Sequence, residues 1–458
     1  MVRVPMSDPT ERLQRALERL NHGRPARRRV ALLEPFAFGP HRVEHLRLGN
    51  GLRVLCLVDP TAPVVSYNTW FRVGSRDEVE GKTGLAHLFE HLMFNETRDL
   101  PAGRFDQLLE RAGAETNAST WYDWTHYYAN VPRDQLPLVV RLEAGRMAGL
   151  VLREKPVASE KEVVANERRY SVDDDPDGTV NEALWANAFT VHPYHHSTIG
   201  WMKDILAFTV DDCRRFYRAF YAPDNATVVL SGDLDLARAV TLLDRHYGPL
   251  KASGVRPRAL PEEPTQTEER ALTLTLPTPS ARVAVGYKSP PYGHPDHPAL
   301  TVLCEALTGG RSARLYHRLV TVRELASDVG AWASTFCDPG LLEFNLTARD
   351  GGASEALLAA LDQELDGLER EPLTADEVER AVARIELGFY RSLETASGRA
   401  EIAGFADTVA GSPTAAWERL RALTSITAPR LQEAARAYLL RERRTVVHVR
   451  PNLAKVAS

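Results

Sequence analysis

The second half of this 458-residue sequence repeats the pattern of the first half. Segment 84–94, GLAHLFEHLMF, aligns with 299–309, ALTVLCEALTG, at an offset of 215 residues (299 − 84). Segment 221–232, YAPDNATVVLSG, aligns with 438–449, YLLRERRTVVHV, at an offset of 217 (438 − 221). Two matches at nearly one offset indicate a tandem duplication, and a chain of this length is too long for a single hydrophobic core.

Each half has the pattern of strands interleaved with long amphipathic helices. Strands are predicted at 51–59, 64–74, 125–132 and 226–233. Helices are predicted at 84–94, 102–112, 133–149, 157–172 and 209–220, and in the second half at 298–308, 353–369, 374–394 and 428–440. The fold class predicted is α+β, with two homologous α/β sandwich domains that each pack helices on an antiparallel-rich sheet.

The duplication also predicts the domain boundaries. Residues 1–40 form a leader helix and a basic segment, which we expect to be solvated. Residues 41–250 form the first domain, 251–270 a linker rich in proline and charge, and 271–458 the second domain.

Composition excludes several classes of protein. The formal net charge of −5 gives no electrostatic reason to expect nucleic acid as a partner. The four cysteines are scattered without a CxxC pair, which suits a reducing compartment. No apolar run reaches the roughly 20 residues of a membrane span, and the N-terminus lacks the apolar region of a secretory signal. We therefore expect a cytoplasmic protein, with the periplasm not excluded.

Segment 84–94 carries two histidines and a glutamate inside an apolar run. His87 and His91 are four residues apart, so on a helix they share a face and can bind one zinc ion. Glu90 lies beside them in the order H-x-x-E-H, the inverse of the commoner zinc-peptidase motif. A catalytic zinc needs about one more protein ligand, and a glutamate outside the ligand set can act as general base. The alternative is a core helix whose histidines are merely hydrogen-bonded.

The third ligand is predicted from helix geometry in segment 158–171. Glu160 and Glu167 are nearly two turns apart and share a face, which Glu162 does not. Glu167 also follows two valines at helical spacing, and a carboxylate on an apolar stripe needs a compensating cation. We predict Glu167 as the ligand and Glu160 as a carboxylate that supports a ligand from behind.

Several separate motifs resemble the pitrilysin/insulinase family of zinc peptidases, in the two-domain branch that includes mitochondrial processing peptidase and its bacterial relatives. The resemblance extends from about Val43 to Arg450. Its carriers in the first half are RVGSRDEVEGKTGLAHLFEHLMFNET (72–97), GAETNASTWYDWTHYY (113–128), EKEVVANERR (160–169), HPYHHSTIGWMKDI (192–205) and FYRAFYAPDNATVVLSGDLD (216–235). Those in the second half are LTGGRSARLYHRL (307–319) and LTADEVERAVARIELGFYRS (373–392).

The resemblance implies a role for each candidate residue. His87, His91 and Glu167 would bind Zn²⁺, and Glu90 would be the catalytic base that activates water. Glu160 matches a further acidic residue that the family keeps near the site. The segment holding Asn117, Ala118 and Ser119 resembles the one where the family binds its peptide substrate, which would add as a strand to an exposed sheet edge. The alternative is that Asn117 is a turn residue before a strand.

The sequence departs from the family pattern in the second half. Active members use an arginine and a tyrosine, seven residues apart, to hold the substrate carbonyl. Here the tyrosine position is Ser327 and the arginine position falls on Val320 or Thr321, while Arg323 is too close to serve. We expect the pair to come from a homologous partner subunit that lacks the zinc motif, in a heterodimer or a dimer of heterodimers.

The sequence thus predicts a zinc metalloendopeptidase subunit that hydrolyses peptides or unfolded polypeptides. Two alternatives stay open: a non-catalytic scaffold, and a metal-holding subunit of a heterodimer that binds peptides without turnover.

Overall fold

The computed structural model describes residues 9–254, 259–349 and 351–452. Residues 1–8 of the predicted leader, 255–258 of the predicted linker, and 350 and 453–458 of the predicted second domain lie outside the described residues.

Helices and strands alternate along the described chain. The helices are α1 Pro9–Asn21, α2 Leu85–Leu92, α3 Arg104–Arg111, α4 Leu136–Gly149, α5 Glu154–Arg168, α6 Pro176–Ala188, α7 Met202–Ala207, α8 Val210–Phe220, α9 Leu236–Tyr247, α10 His297–Thr308, α11 Ser354–Gly367, α12 Ala375–Ser392, α13 Ala396–Val409, α14 Ala415–Thr424 and α15 Ala428–Tyr438. The strands are β1 Ala31–Leu32, β2 Phe36–Phe38, β3 His41–Arg47, β4 Arg53–Val58, β5 Val64–Phe71, β6 Glu115–Thr120, β7 Thr125–Pro132, β8 Ala226–Gly232, β9 Arg270–Leu276, β10 Arg282–Ser289, β11 Ala326–Ala333, β12 Gly340–Ala348 and β13 Arg444–Pro451. One π-helical turn, Arg169–Asp173, follows α5, and another, Tyr316–Val322, precedes β11.

The second sheet repeats the order of five strands of the first sheet, β4-β8-β5-β7-β6. The first runs β1-β3-β4-β8-β5-β7-β6, with β2 paired to β3, and the second runs β9-β13-β10-β12-β11. In each sheet the equivalent pair, β4 with β8 and β9 with β13, is parallel, and the strands beyond it are antiparallel. The predicted fold class, two homologous sandwich domains, is confirmed.

The described chain forms two compact units, and both are discontinuous in sequence. Unit 1 consists of Met1–Val164, Thr198–Arg258 and Ser392–Trp417, and unit 2 of Ala165–Ser197, Ala259–Arg391 and Glu418–Ser458. Unit 1 therefore includes α13 from the second half of the chain, and unit 2 includes α6 from the first. These units differ from the linear division predicted from sequence. Helix α6, from the first half of the chain, packs on the second sheet, and α13, from the second half, packs on the first sheet.

In unit 1, α13 lies directly on β5 and β8. A Cβ atom at Gly404 would lie 2.1 Å from Trp70 Nε1, so only glycine permits this close approach. Asp407, which is fully buried, accepts hydrogen bonds from Arg72 Nη2 (2.6 Å), Thr227 Oγ1 (2.6 Å) and Arg53 Nε (3.1 Å). A buried carboxylate with three such donors fixes the position of α13 on the sheet.

The expectation of a solvated leader is wrong for helix α1, whereas Arg27, Arg28 and Arg29 of the basic segment are exposed. Helix α1 packs against α9, and Leu13 and Leu17 are buried. Arg24, in the basic segment after α1, makes a bidentate ion pair with Asp244 at 2.7 and 2.8 Å. The apolar stripe of α1 therefore belongs to the core of unit 1. Among the described residues, no helix combines the length and hydropathy that crossing a bilayer requires.

In unit 2, α6 packs on β9, β10 and β13. Trp185 of α6 donates its indole N–H to Glu343 of β12 at 2.9 Å. Glu343 is 1% exposed, and burial raises the pKa of its carboxyl to about 7. A titratable group is thus buried beneath α6, the helix of unit 2 that comes from the first half of the chain.

The buried Glu343 carboxyl predicts a pH-dependent stability. The pKa of this carboxyl is about 7 in the folded protein, whereas its ordinary value is 4.5. Between these values the folded state keeps a proton that the unfolded state has lost, so stability falls as pH rises from about 4.5 to 7. Between pH 4.5 and pH 7.5 the free energy of unfolding of the wild type should therefore fall by up to about 3 kcal/mol relative to that of Glu343→Gln. Urea unfolding at both pH values measures this.

The exposed Glu379 on α12 provides the control. Glu379→Gln should leave the difference between pH 4.5 and 7.5 equal to that of the wild type. If Glu343→Gln tracked the wild type at both pH values, the carboxyl would titrate normally and the assigned shift would be wrong.

Candidate metal centre

Helix α2 is held in place from its N-terminus. The buried Glu78 accepts hydrogen bonds from the Gly84 N–H (2.8 Å) and the Ala86 N–H (2.6 Å). Burial raises the pKa of the Glu78 carboxyl well above its ordinary value, and these N–H donors oppose the rise. Gly84 has φ 91°, and a Cβ there would lie 2.2 Å from Ile199 O. The first turn of α2 is therefore fixed in its position, and the Glu78 carboxyl group accepts hydrogen bonds from its backbone N–H groups.

The two faces of α2 differ in character. Leu85, Leu88, Phe89 and Leu92 are buried. His87, Glu90 and His91 lie on the remaining face, and the rings of the two histidines are 5.0 Å apart between centroids. The apolar residues of this segment thus form the face of α2 that packs on the core, and the polar residues lie together on the other face.

The structure brings together His87, His91 and Glu167. One ligand atom from each lies within 4.8 Å of those of the other two. Glu167 stands in the last turn of α5, separated by 76 residues from His91. Within the described ranges, this is the single group of three or more histidine, cysteine or acidic side chains with such spacing.

The donor set suits a zinc ion. Zinc prefers four-coordinate sites with imidazole nitrogen and carboxylate oxygen at about 2.0–2.2 Å, so neighbouring ligand atoms stand roughly 3.3–3.5 Å apart. The three ligand atoms lie within 4.8 Å of one another, and they would draw closer together around a bound ion. Two imidazoles and one carboxylate leave a fourth position for water or substrate, as in catalytic sites.

Glu160 lies behind His91. One Glu160 carboxylate oxygen is 3.7 Å from His91 Nδ1, and the other accepts a hydrogen bond from Asn95 Nδ2 at 2.9 Å. The contact with His91 holds the pKa of the Glu160 carboxyl below its ordinary value. A carboxylate at Nδ1 orients the ring and leaves Nε2 for an ion, which is the usual arrangement around protein-bound zinc. Sequence reasoning missed Asn95, although its position four residues after His91 was a signal.

Glu90 is half-buried and stands outside the group of three ligands. Below α2 lies a cluster of aromatic residues, in which the Tyr127 hydroxyl donates to Phe89 O at 3.3 Å. Burial first, and the negative charge of Glu90 to a smaller extent, raise the pKa values of Tyr127 and Tyr221. Glu90 therefore lies on a part of α2 that packs against buried aromatic side chains.

Asn117, Ala118 and Ser119 lie inside β6, which is the edge strand of the first sheet. The alternative of a turn residue before a strand is wrong for Asn117, because it pairs with Tyr128 of β7. Asn117 and Ser119 are exposed, and Asn117 Oδ1 accepts the Ala118 N–H at 2.8 Å. Helix α2 packs against this strand. The free edge of β6 thus runs beside the helix that carries the histidines.

The positions aligned with the family's arginine and tyrosine lie near β11. Ser327 is in β11, at a bulge between Ala326 and Asp328, while Val320 and Thr321 belong to the preceding π-helical turn. Arg323 donates to Gln363 Oε1 at 3.2 Å.

The second copy of the motif contains an ion pair. Glu305, at the position of Glu90, accepts a hydrogen bond from Arg384 Nε. Val302 and Ala306 occupy the positions of the two histidines and are buried. The second copy therefore lacks both imidazole ligands, and its glutamate is paired with an arginine.

Comparison with known proteins identifies the family of the chain. Residues 53–200 match the family described as Insulinase (Peptidase family M16), and residues 207–385 match the one described as Peptidase M16 inactive domain. Zinc protease PqqE of Helicobacter pylori is 33% identical over 371 residues, which are 80% of this chain and 82% of that protein. The chain belongs to the insulinase family, peptidase family M16.

A solved structure and another relative also resemble the chain over most of its length. A crystal structure described as a protease from Helicobacter pylori matches with a TM-score of 0.84 and 30% identity, over 89% of this chain and 99% of that one. The probable mitochondrial-processing peptidase subunit beta of Schizosaccharomyces pombe is 27% identical over 377 residues, 79% of this chain and 81% of that protein. The family predicted from the motifs is confirmed.

Proposed function

We propose that this chain is the zinc-bearing subunit of a metalloendopeptidase. The observation that carries the proposal is the convergence of His87, His91 and Glu167 within 4.8 Å, on a donor set that suits zinc. Relatives named zinc proteases in the M16 family support it.

A zinc ion bound there would supply a Lewis acid that polarises the scissile carbonyl and lowers the pKa of water. His87, His91 and Glu167 hold it, and Glu160 orients His91 through Nδ1. Glu90 takes a proton from the attacking water and passes it to the leaving amine. Its place beside the ligands but outside their group supports this role.

The substrate is an extended peptide that pairs with the free edge of β6. Asn117, Ala118 and Ser119 offer backbone groups there, and main-chain pairing accepts many sequences. This mode of binding favours short or unfolded polypeptides over folded ones.

A homologous partner completes the site. The oxyanion formed on attack needs donors beyond the metal, and the positions at Ser327, Val320 and Thr321 offer neither a tyrosine nor an arginine. The name of one relative, subunit beta of a processing peptidase, describes a protein that is one subunit of several. We infer that the partner lacks the zinc motif and supplies the arginine and tyrosine.

The proposal is tested by assaying this chain alone, a homologous chain that carries the Arg/Tyr pair alone, and the two together. A quenched-fluorescence peptide should be cleaved at least about 100-fold faster by the mixture than by either chain, since one set of oxyanion donors contributes about 10²–10³-fold. Full activity of this chain alone would overturn the partner requirement. Zinc binding without cleavage in any combination would favour a peptide-binding subunit, and absence of zinc a scaffold.

A further inference from the structure

Glu167 occupies a part of its helix that needs support. It lies one residue before the end of α5, where the α-helical hydrogen-bond pattern changes. The chain then continues directly as a π-helical turn, Arg169–Asp173. A π-helical turn departs from regular α-helical hydrogen bonding, whereas a metal ligand must hold its position within about 0.5 Å. Something must therefore fix this turn.

The residue after Glu167 is a buried arginine. Arg168 donates to both carboxylate oxygens of Glu182 on α6, at 2.7 and 2.8 Å, and lies 3.2 Å from Asp173. The Ser197 hydroxyl donates to the same Glu182 carboxylate at 2.7 Å. The side chains of Arg168 and Glu182 are only 6% and 14% exposed. The bidentate pair is thus shielded from water and has one geometry.

The π-helical turn is fixed to α6 at further points. Thr179 Oγ1 donates to Val172 O at 2.6 Å, and Ser171 Oγ donates to Glu167 O at 2.8 Å. A Cβ at Gly178 would lie 2.0 Å from Ser171 O, so the first turn of α6 touches this backbone. The last turn of α5 is therefore tied to α6 through both backbone and side chains.

We propose that Arg168, Glu182 and Ser197 form a clamp that positions the Glu167 carboxylate and so sets the affinity of the metal site. The inference rests on the proposed function, since it takes Glu167 to be a metal ligand. Buried ion pairs contribute little net stability compared with apolar contacts, whereas they do fix orientation. Residues that orient metal ligands from behind typically change metal affinity 10–100-fold when altered.

Unit 2 contains a matched control pair. Arg314 and Glu377 also form a bidentate pair, with side chains 5% and 15% exposed. Glu377 further accepts from the Thr374 hydroxyl at 3.0 Å, as Glu182 does from Ser197. Burial, guanidinium partner and hydroxyl donor correspond, although Glu377 also accepts the Thr374 N–H at 2.8 Å. Neither residue of this pair adjoins a candidate ligand.

The test compares Glu182→Gln with Glu377→Gln in the full chain. Zinc affinity is measured by competition with a chromogenic chelator, and stability by thermal unfolding of the metal-free protein. Both variants should lower the Tm by similar amounts. Glu182→Gln should weaken zinc binding about 10-fold, whereas Glu377→Gln should stay within about 2-fold of the wild type. The visible spectrum of bound cobalt should change with Glu182→Gln alone.

Milder variants keep the test decisive if Glu182→Gln fails to fold. Ser197→Ala removes one donor to Glu182 and should weaken zinc binding about 2–3-fold, a loss typical of one hydrogen bond. Arg168→Lys keeps the charge but loses the planar fork, and should weaken zinc binding more. Unchanged zinc affinity in these variants, or equal losses in the Glu182 and Glu377 variants, would overturn the clamp alone. A wild type without zinc would overturn the proposed function as well.

Discussion

Glu90→Gln is expected to retain one zinc ion per chain and to lower kcat by about 10²–10⁴-fold, the usual contribution of a general base. Glutamine has nearly the same shape, but it cannot accept a proton from water. Glu90 stands outside the group of ligand atoms, so its amide should leave metal binding unchanged. Metal content and peptide cleavage are measured on the same preparation, with the partner subunit present.

Glu162→Gln is the control for that experiment. Glu162 lies on α5, the helix that carries Glu167, but it is exposed and outside the ligand group. This variant should keep both zinc and turnover. Loss of zinc in Glu90→Gln would mean that Glu90 is itself a ligand or a support of one, and turnover at the wild-type rate would exclude it as the base.

Asp407→Asn is expected to lower the free energy of unfolding by about 3–5 kcal/mol, as when one partner of a buried ion pair is removed. Asp407 is fully buried and compensates the guanidinium groups of Arg53 and Arg72, which are themselves largely shielded. The asparagine amide would remove the negative charge that both cations meet at Asp407 and would bring a donor towards them. Denaturant unfolding, with the midpoint and slope fitted together, measures the loss.

The exposed Glu401, on the same helix α13, provides the matched control. Glu401→Gln should change the free energy of unfolding by less than about 0.5 kcal/mol. A small effect of Asp407→Asn would show that apolar contacts such as those around Gly404 and Trp70 hold α13 on the sheet without help from the carboxylate.

The duplication could be predicted from sequence because a repeated pattern must repeat its fold. Two short alignments sufficed to predict two sandwich domains, and the two sheets indeed share the order of five strands. The convergence of the candidate ligands was accessible for a similar reason. A spacing of four residues defines a helix face, and only Glu167 and Glu160 share the relevant face of α5.

The exchange of α6 and α13 could not be predicted in this way. An amphipathic helix shows that it has an apolar face, but not which of two similar sheets covers that face. The anchoring residues, Asp407 and Glu343, look like ordinary surface charges in the sequence. Their burial becomes apparent only when segments distant in sequence supply Arg53, Arg72 and Trp185.

The leader was misjudged for a related reason. Its clustered arginines suggested a solvated segment, whereas the apolar stripe through Leu13 and Leu17 finds a partner in α9, more than 200 residues later. The free edge at β6 was inferred by resemblance, because edge position depends on the order of strands and not on the composition of one strand.

The central claim is that one zinc ion is held by His87, His91 and Glu167. Anomalous diffraction at the zinc absorption edge, from crystals of the full chain grown without chelator, tests it most directly. The account predicts a single strong peak about 2.0–2.2 Å from one nitrogen of each histidine and one oxygen of Glu167. A peak bound by a different set of residues, or no peak at these three side chains in zinc-saturated crystals, would contradict it.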